Sequence, residues 1–197
     1  MDSEVLASDE DSMNANYQGK ISITSSYFQD NRGTMMRINS TYAFWQEEYA
    51  GNIARVIIEP NLEPKETELT WDVSEAKDGS VMSYLVQNEN DNTKYDLYIQ
   101  SNGGVIAPVD SIKLFSLYTE IYLGNGCWDG YTALEEIIGL EYLDTSKVTN
   151  MSYLFWNCSS LTSLDLSNFD ISSVTYMPNM FYEMPTTAII YAKDETT

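Results

Sequence analysis

The sequence predicts an α/β fold: a short solenoid of stacked coils, with parallel strands on one face, helical or irregular turns on the other, and an irregular N-terminal cap. Three observations carry this expectation. The stretch LDTSKVTNMSYLFWNC, beginning at Leu143, returns as FDISSVTYMPNMFYEM, beginning at Phe169. Asp144 then aligns with Asp170, Val148 with Val174, Met151 with Met177 and Phe155 with Phe181, at an offset of 26 residues. Between the two copies, LTSLDLSNF sets Leu161, Leu164 and Leu166 in the L-x-x-L-x-L spacing of a leucine-rich repeat. The L-x-L part of such a unit is a short strand with alternating faces. A unit this small cannot close a core alone, so it must stack on neighbours.

The elements follow in chain order. MDSEVLASDEDS is acidic and polar, and residues 1–20 are expected to be a flexible lead-in. It has neither a basic nor an apolar signal region, so it is not a signal peptide, and a secreted chain starting here is a mature fragment. ISITSSYF, from Ile21, begins the cap, and STYAFWQ, from Ser40, marks the earliest packed turn. ARVIIEP, from Ala54, is a strand with Arg55, Ile57 and Glu59 outward. WDVSEAKDGSVMSYL resembles LDTSKVTNMSYL, with Met82, Ser83, Tyr84 and Leu85 matching Met151, Ser152, Tyr153 and Leu154. In YDLYIQSN, Leu97 and Ile99 face inward and Asp96, Tyr98 and Gln100 outward. DSIKLF ends at Phe115, 40 residues before Phe155. TEIYLGN points Ile121 and Leu123 inward and Glu120 and Tyr122 outward, and GCWDGY is an insertion after it. Residues 21–197 thus read as one domain of about five strand-bearing coils, irregular over 21–142 and clearest over 143–197.

Charge narrows the function. Lys and Arg total 10 against 30 Asp and Glu, for a net charge of −20. No basic stripe exists to release phosphate counterions, so nucleic acid is excluded as the expected partner, and an anionic membrane surface is disfavoured. No apolar run is long enough to insert in a membrane. Histidine is absent, which removes Ser-His-Asp and Cys-His catalysis and histidine metal ligands. Cys127 and Cys158 form no CxxC; they allow one disulfide or two free thiols, and a buried inert thiol is the simpler reading of Cys158. NENDNTKYD alternates Asn88, Asn90 and Asn92 but lacks the glycine and distal glutamate of an EF-hand, so it reads as a polar hairpin turn. No cofactor and no metal are expected.

Strand alternation singles out a surface. Stacked parallel strands would align Tyr98, Tyr122, Asp165 and Tyr191 in one outward ladder. Exposed tyrosines offer apolar area and a hydroxyl at low entropic cost, which suits protein or glycan contacts. The alternative is that they only cover the sheet, since tyrosine favours strands. Trp128, in the Gly-flanked insertion, is a second anchor candidate, or else packs over the coil edge. Trp71 and Trp156 sit at repeat positions and read as core. Asp144 and Asp170, each two residues before a serine, suit acceptors of backbone N–H bonds in a turn. For a carboxylate glycosidase, Glu135, Glu136, Asp165 and Asp170 are the available acids, but no motif singles out a pair. The sequence therefore points away from an enzyme.

DTSKVTNMSYLFWNCSSLTSLDLSNFD closely resembles the repeat of the BspA-like leucine-rich-repeat surface proteins of bacteria. The upstream WDVSEAKDGSVMSYL, YDLYIQSNGGVIAP and LFSLYTEIYLGN resemble the region preceding the repeats in that family. The resemblance implies an extracellular or cell-surface module that adheres to a protein or glycan without catalysis. A structural spacer presenting another domain is the competing reading.

Overall fold

The computed structural model describes residues 30–37, 47–116 and 133–193, and the backbone of four short strands outside those ranges, Ser3–Val5, Ile21–Ile23, Ile121–Tyr122 and Trp128–Asp129. The remainder of the lead-in and cap, STYAFWQ, Glu120, Leu123 and Cys127 lie outside the described residues. The chain divides into two compact units, Met1–Asn31 and Arg32–Thr197. In the first, β1 (Ser3–Val5) pairs antiparallel with β2 (Ile21–Ile23).

The second unit holds β3 (Gly33–Thr34), one helical turn α1 (Glu47–Ala50), β4 (Ile53–Glu59), β5 (Thr70–Asp72), β6 (Met82–Gln87), β7 (Tyr95–Gln100) and β8 (Val105–Ile106). There follow β9 (Ile121–Tyr122), β10 (Trp128–Asp129), β11 (Glu136–Ile138), a 3-10 turn at Leu140–Tyr142, β12 (Leu143–Asp144), β13 (Ser163–Leu166) and β14 (Ile189–Ala192). Five strands form one mixed sheet in the order β11-β4-β7-β6-β5. The pairs β11–β4 and β4–β7 are parallel, and the two pairs beyond them antiparallel. A second sheet, β12-β8-β3, is parallel throughout, and β13 and β14 form a separate parallel pair. Among the described residues no helix is long and apolar enough to cross a membrane.

Alternation explains the main sheet. Val56, Ile58, Leu97 and Ile99 are fully or almost fully buried, as period-two spacing puts them on one face. Met35, Val73, Val81 and Leu85 join the same core. Gly139 ends β11 at φ 81°, and a Cβ there would run into the Ile58 carbonyl, so only glycine lets the chain drop beside β4 into the following turn.

Beyond the main sheet, the sequence repeat becomes a physical stack. The N–H groups of Ser111, Lys113 and Phe115 donate to the carbonyls of Asn150, Ser152 and Leu154. Those of Met151, Tyr153, Phe155 and Asn157 donate in turn to Tyr176, Pro178, Met180 and Tyr182. The pattern repeats at every second residue, with parallel bridges Asp110↔Asn150 and Asn150↔Tyr176 at its start. Phe115, Phe155 and Phe181 stack in one column, with ring centroids 5.5 and 5.9 Å apart and planes 6° and 1° off parallel. Lys113, Tyr153 and Asn179 adopt φ near 57–58°, so even the left-handed turn position recurs. Serine and threonine hydroxyls knit successive coils: Thr149 Oγ1 donates to the Val109 carbonyl, Thr175 Oγ1 to that of Thr149 and Ser173 Oγ to that of Ser146.

The upstream match behaves differently. Met82–Leu85 lies in the antiparallel strand β6, whereas Met151–Leu154 runs through a turn. Four identical residues take two backbones because their neighbours differ: β6 is fixed by pairing with β5 and β7.

Candidate functional site

The single outward ladder is not formed. Tyr98 stands in the five-stranded sheet, Tyr122 in the antiparallel pair β9–β10, and Asp165 and Tyr191 in the pair β13–β14. The reason is strand order: antiparallel β6 takes the edge of β7 that a following coil would need. Within β9–β10, Trp128 lies opposite Tyr122 in register.

The outward face of β4 and β7 is largely covered. Asp96 is only 2% exposed and Gln100 0%, which corrects the expectation that both face solvent. Arg55 Nε donates to Asp96 Oδ1 at 2.8 Å, and Asn88 Nδ2 donates to the same oxygen at 2.8 Å. The hydrogen bond to Asp96 holds the Arg55 guanidinium even further above its ordinary range. Gln100 Nε2 donates to Glu59 Oε2 at 2.6 Å, and Lys65 bridges to the same carboxylate. The Lys65 ammonium also sits 4.3 Å from the centre of the Tyr98 ring, leaving that tyrosine half-buried. A buried carboxylate persists because it is paired and hydrogen-bonded.

The last coil is open. Asp165 and Tyr191 are direct partners in the parallel register of β13 and β14, as are Ser163 and Ile189. Tyr191 is 54% exposed and Ile189 56%. Asp165 is exposed, and its carboxylate accepts the Ser167 N–H at 2.9 Å; hydrogen bonding to the Ser167 side chain first and its backbone second holds it below the usual carboxylate range. Adjacent parallel strands place such partners about 4.8 Å apart. A tyrosine ring and a fixed anion therefore stand side by side, with a second apolar residue one rung along. Among the described residues, most of the large exposed apolar side chains belong to this coil, including Tyr176, Tyr182, Phe181 and Met177.

Met177 and Phe181 align in sequence with the buried Met151 and Phe155, yet are 51% and 39% exposed. A repeat buries one face against the coil before it and the other against the coil after it. Position in the last repeat is the signal that reveals this exposure, and pattern alone misses it. Trp71 and Trp156 are half-buried and not central core. Lys113 lies 4.8 Å over the Trp156 ring, and Tyr153 meets it edge-on.

The remaining candidates serve the backbone. Asp144 Oδ1 accepts the Ser146 N–H and Asp170 Oδ1 the Ser172 N–H, both at 2.9 Å. Arg32 Nη1 donates to Asp144 Oδ2 at 2.8 Å. Burial pushes the Asp144 carboxyl up, but the Ser146 and Arg32 donors outweigh it and leave it below its ordinary value. Asp170 is held low by Ser172. Such carboxylates are persistent acceptors, the opposite of a raised proton donor. Glu135 accepts from Lys94 Nζ at 2.6 Å. Asn88 Oδ1 accepts the N–H groups of Asn90 and Asp91, so the asparagine run closes its own turn. Cys158 is a free, buried thiol whose Sγ donates to the Phe115 carbonyl at 3.3 Å, and burial pushes it up to about 12.

Residues 125–188 match a family described as Mycoplasma protein of unknown function, DUF285. This match takes in β10 and both repeated stretches, those beginning at Leu143 and Phe169, and ends just before β14. No curated protein and no solved structure matches the chain.

Proposed function

We propose that this chain is a non-enzymatic, adhesin-like interaction module of a bacterial surface protein, built as a short leucine-rich-repeat solenoid and acting outside the cell. Its binding face is the strand face of the last coil, and its ligand is a protein or a glycan. The observation that carries the reading is the in-register, exposed pair Asp165–Tyr191 with Ile189 beside it. A rigid aromatic next to a fixed acceptor gives both buried area and direction to a contact. The resemblance of the repeat to the BspA-like surface proteins supports the same reading; the family matched over residues 125–188 is described as of unknown function and adds no ligand. Tyr98 and Tyr122 are not part of this face. The Lys65 cover over Tyr98 favours packing as its role, which is what the structural-spacer alternative expects of all the tyrosines.

The test is a binding screen on arrays of extracellular-matrix proteins and glycans, with and without calcium. Wild type is compared with Tyr191→Ala and with Asp165→Ala/Tyr191→Ala. These side chains are exposed, so the variants should melt close to wild type. A hit lost in the folded variants supports the strand face. A hit they retain removes the face from the proposal, and no hit on any array favours the spacer.

A further inference from the structure

We infer that Asn102 is a self-modification site: the closed turn after β7 holds it in check, and opening of that turn releases it to deamidate. Two asparagines in the chain precede a glycine, Asn102 and Asn125. Asn102 lies among the described residues and Asn125 outside them. A following glycine lacks the Cβ that would hinder attack of its nitrogen on the asparagine side chain. Asn102 is exposed, and among the described residues nothing holds its side-chain amide. The attacking nitrogen, by contrast, is engaged. Gly103 N–H donates to the Pro60 carbonyl at 2.9 Å, and Gly104 N–H closes the turn onto the Ser101 carbonyl at 3.1 Å. The Gly103 nitrogen must shed its proton to react, so its bond to Pro60 has to break first.

The chemistry needs only water. The Gly103 nitrogen gives its proton to solvent and bonds to Asn102 Cγ; the Cγ–Nδ2 bond breaks, and ammonia leaves with a proton from solvent. Water then opens the cyclic imide. Hydrolysis at the side-chain carbonyl restores the main chain with an aspartate. Hydrolysis at the main-chain carbonyl leaves an isoaspartate, and the chain then runs through the former side chain with one extra methylene. The surroundings of the turn have no slack for that methylene. Ser101 and Val105 on either side are fully buried. Ser101 Oγ accepts the Gly33 N–H at 2.8 Å, and Val105 pairs in register with both Gly33 and Leu143. Gly104 lies so close to Tyr142 that a Cβ there would come within 2.8 Å of the Tyr142 carbonyl. An isoaspartate therefore breaks the register of β8 with β3 and β12, whereas an aspartate at the exposed Asn102 position keeps it. An opened turn that forms isoaspartate does not close again.

The experiment incubates the full chain in mildly alkaline buffer, with and without denaturing urea. Peptide mapping by mass spectrometry reads the gain of one mass unit at each asparagine, and an isoaspartyl-specific methyltransferase reads the isomer. In urea, Asn102 and Asn125 should deamidate at similar rates, since both precede glycine. Without urea, Asn102 should deamidate about tenfold or more slowly than in urea, because the turn must open first. Equal rates at Asn102 in the two conditions overturn the inference, and so does an Asn102 that stays intact in urea while Asn125 reacts. Gly104→Ala strains the same turn against Tyr142 and should speed deamidation of Asn102 in the folded chain; an unchanged rate in a folded variant counts against the turn as the restraint. If Gly104→Ala does not fold, the wild-type rate is followed across a urea series. It should climb with or before the loss of circular dichroism, and a rate flat across the transition overturns the proposal. On removal of urea the isoaspartyl fraction should fail to regain the wild-type melting temperature, whereas Asn102→Asp should melt close to wild type. An isoaspartyl fraction that melts like wild type overturns the one-way step. None of these readouts depends on a ligand for the Tyr191 face, so the two proposals fail separately.

Discussion

Replacing Phe155 tests the stack directly. This side chain is 0% exposed and sits between Phe115 and Phe181, with Phe169 tilted against it at 6.5 Å. Truncation to alanine removes a full buried ring, which costs about 3–5 kcal/mol in well-packed cores. Two stacked partners add about 0.5–1.5 kcal/mol each. Against a total stability of about 5–15 kcal/mol, Phe155→Ala is expected to be close to unfolding the chain at room temperature. Phe155→Leu keeps an apolar group and loses mainly the stacking, so about 2 kcal/mol is expected. Phe181→Ala removes a ring stacked on one side and 39% exposed, and should cost about 1–2 kcal/mol. Urea unfolding followed by circular dichroism measures all three through the shift in midpoint at constant slope. A Phe155→Leu cost below about 0.5 kcal/mol, or equal costs for Phe155→Ala and Phe181→Ala, would refute the column as a source of stability.

Other consequences are as direct. Asp144→Asn keeps the turn acceptor for Ser146 but loses the charge facing Arg32; with both groups partly exposed, the cost at pH 7 is expected to be about 1 kcal/mol. Because the folded carboxyl lies below its unfolded value of about 3.9, that contribution is fully present above pH of about 4 and fades as pH falls through the folded value. Urea midpoints of the two proteins should converge toward pH 2, and a gap unchanged with pH would exclude the ion pair. Glu183 holds φ 63° on the surface; Glu183→Gly relieves a left-handed backbone and should raise stability by about 1 kcal/mol, read as a higher melting temperature. Asp96→Ala strips the Arg55 guanidinium and the Asn88 amide of their shared partner and should cost about 2–4 kcal/mol, whereas Asp165→Ala on the open strand should cost far less. Equal losses would contradict the assignment of one as buried and the other as free.

Local patterns were legible without tertiary information. Period-two alternation marks Ile53–Glu59, Tyr95–Gln100 and Ser163–Leu166 as strands, since a strand's two faces meet different surroundings. The offsets of 40 and 26 residues align Phe115, Phe155 and Phe181, and a repeat that buries its face on its neighbour brings aligned residues into contact. The Asp–x–Ser spacing at Asp144 and Asp170 closes its hydrogen bond within three residues, so its geometry is local as well.

What only the tertiary structure decided is which surfaces meet. Alternation says that Asp96 and Leu97 face opposite ways; it does not say that Arg55 and Asn88 arrive to bury the aspartate. The identity of Met82–Leu85 with Met151–Leu154 does not report that one segment pairs with two antiparallel strands while the other turns between coils. Equivalence in the repeat makes Met177 and Phe181 core residues, and the end of the stack leaves them exposed. The amino-acid order determined the repeat, its period and the face each residue takes, because those depend on backbone geometry over a few residues. Strand order, the covering of Tyr98 and the exposure of Met177 and Phe181 depend on pairings between distant segments, and no local preference encodes them.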